Sequence, residues 1–292
     1  MESLLVVGCG DVARRALPAL TERWRVTVLV RRADAAPQGV EALVGDLDRP
    51  DTLAPLGRGF VRVLHLAPPP ESGEGDPRTA NLVAALTAEG MLPERFVYIS
   101  TSGVYGDCAG ARIDETRPVH PQSTRAQRRV DAERLLLDWG ARTGVNVSVL
   151  RVPGIYASDR LPVERLKRGT PALVPEDDVF TNHIHADDLA AICVAALERA
   201  QPGAIYNASD DSELRMGEYF DLVADRFALA RPPRLPRAEL AKLVSPMLLS
   251  FMSESRRLDN ARMKRELGVR LRYPTVHEGV PHGHAARPQQ PS

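Results

Sequence analysis

The sequence predicts a doubly wound parallel α/β sheet with a smaller, mostly helical lobe attached. Three observations carry this expectation. Short apolar runs alternate with helical patterns through the first half, as βαβ units require. A glycine-rich turn joins the first apolar run to the first helical pattern. Beyond Arg151 the alternation weakens into helix-and-loop segments, with one later return to an apolar run.

The elements follow in order. A first strand is expected at 4–7 (LLVV), then the glycine turn and a helix to about Leu20. Further strands are expected at 26–30 (VTVLV), at Leu43 and Val44, at 60–66 (FVRVLHL), at 96–99 (FVYI) and at 147–150 (VSVL). A helix containing 129–139 separates the last two. The proline-rich segment 68–77 (PPPESGEGDP) reads as a loop at a strand's carboxyl end, where open α/β sheets bind ligands. Segments 161–175 and 213–271 read as a second lobe, and 204–206 (AIY) as the return to the sheet. The expected division is 1–152 with about 180–208 for the sheet domain, and 153–179 with 209–280 for the lobe. Residues 281–292 lack periodicity and are expected to be disordered.

Composition narrows the function classes. Lys+Arg and Asp+Glu both number 38 in 292 residues, so no net charge points to nucleic acid or an anionic membrane. No apolar run approaches the roughly 20 residues that span a bilayer. The start MESLLVVGCGD has no basic leader, and a cytoplasmic protein is the expectation. Cys9, Cys108 and Cys193 are widely spaced and suggest reduced thiols, with no disulfide framework or metal site. Only Lys167, Lys242 and Lys264 among the basic residues are lysine, so Lys-to-Arg exchanges weigh little here.

The turn GCGDVA is Gly8-x-Gly10-x-x-Ala13, after a strand and opening a helix. Gly8 suits the tight turn, Gly10 lets backbone approach a pyrophosphate, and Asp11 and Val12 begin a helix whose amino end faces phosphates. This is the Rossmann-type dinucleotide signature in its required context. The second strand ends in Arg31 and Arg32, where NAD-preferring sites place an acid. Arginine there suits a 2′-phosphate, so NADP is expected over NAD; Asp34 is an alternative ribose contact.

Further motifs carry a family resemblance. GDLDRPDTL (45–53), HLAPP (65–69), YISTSGVYG (98–106), RVPGIY (151–156), NHIHADDLA (182–190), GAIYNAS (203–209) and SRRLDNARMKRELG (255–268) resemble the extended and atypical short-chain dehydrogenases/reductases, the NAD-dependent epimerase/dehydratase superfamily. The resemblance implies that Asp46 and Leu47 lie by the adenine. It also implies that Leu66, Ala67 and Pro68 flank the cofactor, and that Pro153 and Gly154 lie near the nicotinamide. A small-molecule substrate is implied, with nucleotide sugars a common class, and a homodimer through helices around 82–86 and 130–137 is possible in such relatives.

In that family a Ser or Thr, a Tyr and a Lys perform the chemistry. Thr101 matches the hydroxyl, with Ser102 as its neighbour and second choice. Aligning PQSTRAQRRVDAE (121–133) puts Arg125 at the tyrosine and Arg129 at the lysine. Spacing of four keeps both on one helix face. Arg129 retains the charge, whereas the Arg125 guanidinium cannot shuttle protons near neutral pH. Tyr105, Tyr156, His183 and His185 are alternative acids or bases. Asp187 reads as an N-cap, and Asp114 and Glu115 as solvated. Two readings remain: an NADP-dependent oxidoreductase or epimerase using Thr101, Arg125 and Arg129, or a cofactor-binding sensor or scaffold without turnover.

Overall fold

A computed structural model describes residues 1–283; the remainder of the tail expected to be disordered lies outside the described residues. Seven parallel strands form one sheet: β1 (Ser3–Val7), β2 (Arg25–Val30), β3 (Glu41–Val44), β4 (Arg62–His65), β5 (Arg95–Thr101), β6 (Asn146–Val152) and β7 (Ile205–Asn207). Their spatial order is β7-β6-β5-β4-β1-β2-β3. The chain therefore winds outward from β1 in both directions, and the direction reverses between β1 and β4. Ligands of open α/β sheets bind at that switch point, outside the carboxyl ends of the strands.

Strand residues alternate between two buried faces, so the runs read as continuously apolar. Leu4, Val6, Val26 and Val28 pack with α1 (Asp11–Thr21) and α4 (Ala186–Arg199), whose Leu17, Ile192 and Leu197 share that core. Leu5, Val7, Phe96 and Val147 face α2 (Pro77–Thr87) and α3 (Thr124–Thr143), meeting Leu82, Leu86, Leu136 and Trp139. Leu82, Leu86 and Leu136 are thus held in the chain's own interior. Helix α3 starts where Ser123 accepts the Ala126 N–H and ends at Gly144 in the left-handed region, the two ordinary boundary devices.

A third apolar cluster joins Tyr156, Leu166, Leu173, Tyr219, Phe220, Val223, Leu240, Met252 and Val276. It draws together segments on either side of β7 into the lobe. The strand-like piece Gly154–Tyr156 pairs in parallel with His183–His185, and Arg257–Leu258 pairs with Arg112–Ile113. These two short ladders tie the lobe to the sheet domain. Against the lobe, His183 packs on Tyr219 at 4.2 Å between ring centroids, and burial pushes its pKa down to about 3. Asp210 is also buried, and lack of solvent raises its carboxyl to about 7. One of its oxygens accepts the Ser212 N–H at 2.9 Å.

Among the described residues no helix is long and apolar enough to cross a membrane, and no group of side chains is placed to hold a metal ion.

Candidate active site

Parallel strands put the ends of β1 to β6 along one edge, and most of the residues singled out from sequence lie there. Gly8 follows β1 with φ at +93°, and a Cβ there would stand 2.6 Å from the Ala67 nitrogen. Only glycine lets the first turn approach the loop after β4, so Gly8, Leu66 and Ala67 are brought together. Leu66 donates its N–H to the Val7 carbonyl at 2.8 Å. Gly10 caps α1 without any side-chain hydrogen bond, and nothing lies within 4 Å of where its Cβ would be. An open space above an uncapped helix amino end fits a pyrophosphate: free N–H groups and the helix dipole both favour an anion.

Asp11 lies in that first helical turn. Its charge is met by Arg15 at 3.0 Å and Arg160 at 3.2 Å, so it does not oppose an anion alone. Val12 is half-buried against the α1 core. At the end of β2, Arg31 and Arg32 are exposed, and Arg32 pairs with Asp34 at 3.2 Å. Arg14 reaches the same loop, donating to the Ala35 carbonyl at 3.5 Å. Its place one turn into α1 gave no signal in the sequence. After β3, Asp46 closes a tight turn, its carboxylate accepting the Asp48 N–H at 3.0 Å. Leu47 is buried, and its carbonyl accepts from Asn81 of α2 at 2.8 Å. Asn81, a polar residue in an otherwise apolar helical stretch, could have been flagged on that ground. Pro68 is exposed, and its carbonyl accepts from Arg78 at 3.2 Å. Arg78 also grips Asp48 at 2.6 Å, joining the loops after β3 and β4.

The other half of the edge is organised by α3. Thr101 ends β5 and accepts the Gly103 N–H at 3.2 Å. Ser102 is buried, which leaves Thr101 as the hydroxyl near the surface. A Cβ on Gly103 would stand 3.6 Å from Thr101 and 3.9 Å from Ala126; the strand end and the first turn of α3 are therefore neighbours. Arg129 turns in toward the sheet, donating to the Ile99 carbonyl at 2.8 Å and the Tyr98 hydroxyl at 2.9 Å. Arg125 turns the other way. Its guanidinium carbon lies 4.2 Å from the centroid of Phe251, the last residue of the short lobe helix Pro246–Phe251. The two side chains leave one helix face but diverge, because a long arginine can follow either wall. Pro153 and Gly154 follow β6, and the Gly154 N–H is taken by the Asn182 carbonyl at 3.2 Å.

Beneath Thr101 lies a buried charged network. Glu133 accepts from Ser100 and pairs with Arg151 at 2.7 Å. Arg151 lies 4.7 Å over the Tyr105 ring, and Tyr105 donates to Asn207 at 2.8 Å. This network fixes the ends of β5, β6 and β7 against α3.

The alternative acids and bases are buried. Tyr105 and Tyr156 are buried, the latter's hydroxyl 3.4 Å from the Thr275 carbonyl. His183 and His185 are buried as well. His185, and not Asp187, caps α4 by accepting the Asp187 N–H; Asp187 instead pairs with Arg15 at 2.6 Å. Asp114 accepts the Thr116 N–H. Glu115 is half-buried and accepts the Asn207 N–H at 2.8 Å, with lack of solvent raising its pKa; it is a strut and not a solvated residue.

Residues 8–200 match the family described as NAD(P)H-binding. The chain belongs to that family. It is 31% identical over 226 residues to the GDP-6-deoxy-D-mannose reductase of Pseudomonas aeruginosa, covering 66% of this chain and 74% of the relative. It is 26% identical to a 3-diazoavenalumate denitrifying reductase of a Streptomyces species, covering 96% of this chain and 99% of the relative. A solved structure of a functionally unknown conserved protein from Silicibacter pomeroyi superposes with a TM-score of 0.79 at 31% identity, covering 96% of each chain. This chain is therefore an NAD(P)-binding member of the epimerase/dehydratase-like reductases, with the Rossmann-type sheet expected from its sequence.

Proposed function

We propose that the protein is an NADPH-dependent reductase of a small carbonyl compound. Thr101, Arg125 and Arg129 stand, in this reading, where relatives carry a hydroxyl, a tyrosine and a lysine. When bound, the nicotinamide supplies the hydride. Gly8, Gly10, Asp11 and Val12 would hold the pyrophosphate, and Asp46, Leu47, Leu66, Ala67 and Pro68 the adenosine side. Pro153 and Gly154 would border the nicotinamide.

The observation that carries the reading is the anchoring of Arg129. Two hydrogen bonds from one of its nitrogens hold it at the end of β5, beside Thr101, and its other donors remain for a ribose. Thr101 accepts from Gly103, which leaves its hydroxyl proton to donate to a substrate oxygen. Arg125, which keeps its charge near neutral pH and turns toward Phe251, is left to hold an anionic group of the substrate. The proton then comes from water.

Arg31 and Arg32 support NADPH over NADH: both are exposed, and the one ion pair that either makes among the described residues is with Asp34. The full-length similarity to a protein named as a reductase supports reduction over epimerisation. The test is to follow nicotinamide absorbance with NADPH or NADH and a panel of small ketones and aldehydes. Turnover that prefers NADPH and falls in Arg129→Met is expected. Binding of NADPH with no oxidation by any substrate would favour a sensor without turnover, and equal use of NADH would remove the assignment of Arg31 and Arg32.

A further inference from the structure

The first two turns of α3 carry three arginines, and their donors are differently engaged. Arg128 is buried and donates to the Gly73 carbonyl at 2.7 Å. Arg129 is held by Tyr98 and Ile99. Arg125 makes no hydrogen bond or ion pair with any described residue; its one specific contact is the Phe251 ring. Glu254 lies near enough to act on its charge, yet that carboxylate is paired with Arg256 at 2.8 Å. Arg256 in turn donates to the Gly106 carbonyl. The position of Glu254 is thus fixed by the sheet domain and is not drawn to Arg125.

Phe251 is 46% exposed and is the one aromatic among the large exposed hydrophobic residues described. A ring in that state, with a partly desolvated guanidinium on its face, is a pairing of flat apolar surface and a fork of unused N–H donors. We propose that Arg125 and Phe251 form a subsite for a substrate that carries a carboxylate on a planar, conjugated or aromatic frame. The guanidinium fork takes the carboxylate in a two-point hydrogen-bonded pair. The frame stacks along Phe251 in place of part of the cation's own contact.

A single carboxylate fits better than a phosphate or diphosphate. Those anions are best met by more than one cation, whereas Arg128 serves the Gly73 loop and the remaining donors of Arg129 are assigned to the ribose. Glu254 adds negative charge that a dianion would meet at close range. The inference rests on reading this cleft as the substrate side of the reductase.

The test is equilibrium binding to the NADPH-loaded protein, with trans-cinnamate as the probe, trans-cinnamamide as its neutral counterpart and inorganic phosphate as a competitor. Cinnamate is expected to bind about tenfold or more tightly than cinnamamide. Arg125→Gln should abolish that preference, Arg125→Lys should restore part of it, and Phe251→Ala should weaken both ligands several-fold. Phosphate should not displace cinnamate at equal concentration. Equal binding of acid and amide, full binding by Arg125→Gln, or displacement by phosphate would each overturn the subsite. NADPH affinity, measured on the same samples, separates the two levels: failure of the wild-type protein to bind NADPH strikes the reductase reading, whereas intact NADPH binding without a preference for cinnamate strikes only the subsite.

Discussion

The two halves of the strand-end edge are built by different means. Around Gly8 and Gly10 the site is a shape of the backbone: a positive φ, an uncapped helix end and an absence of side chains. Around Thr101 and α3 it is made of side chains, held by the buried Ser100–Glu133–Arg151 network. Backbone shapes depend on a few residue types at fixed spacing. Side-chain sites can change chemistry while the frame stays, and the roles proposed for Arg125 and Arg129 are of that kind.

The contrast can be broken most sharply at Glu133. Glu133→Ala leaves Arg151 as a buried cation without its carboxylate, and unfolding in urea should show a loss of about 3–5 kcal/mol. A loss below about 1 kcal/mol would mean that the α3 half does not depend on its charged network. At the other half, Gly8→Val forces a branched residue to φ +93° and places its Cβ against Ala67. A loss of about 2–4 kcal/mol is expected, together with loss of NADPH binding while β5 and α3 remain intact.

Asp210 serves as a control in the lobe, away from both halves. Its folded-state pKa of about 7 lies above the unfolded value of about 3.9. The native state therefore binds more protons between those values, and stability falls as pH rises from about 4 to about 7, then levels. Asp210→Asn should flatten that slope and raise stability at pH 8 by about 1–3 kcal/mol. Unchanged slopes would show that Asp210 is ionised in the folded protein throughout that range. The smallest effect is expected at the cofactor's far end. Replacing Arg31 and Arg32 by Ser should weaken NADPH about tenfold, close to 1.4 kcal/mol, and leave NADH and the fold almost unchanged.

The sheet was legible because its strands are buried on both faces and separated by clear turn residues. Their ends shifted by a few residues, as with β5, which runs on to Thr101. The glycine turn was legible because its function requires the absence of side chains. What the sequence did not reveal depends on contacts between distant segments. Nothing local marks Phe251 as the partner of Arg125, and nothing marks Asn207 as the residue joining Tyr105 and Glu115. The pairing of His185 with the Asp187 N–H was also hidden, since an aspartate at a helix start is the commoner cap. The even spacing of Arg125 and Arg129 predicted a shared face, but not that their long side chains would part toward opposite walls.

The central claim is that this edge transfers hydride with arginines in place of the usual pair. Its most direct measurement is a single-turnover experiment with NADPH-loaded protein mixed with small carbonyl acids. Loss of nicotinamide absorbance that saturates with substrate, and slows in Arg129→Met and Arg125→Gln, is the result expected. NADPH that stays bound and reduced with every substrate, or oxidation as fast in both variants as in the unaltered protein, would contradict the account.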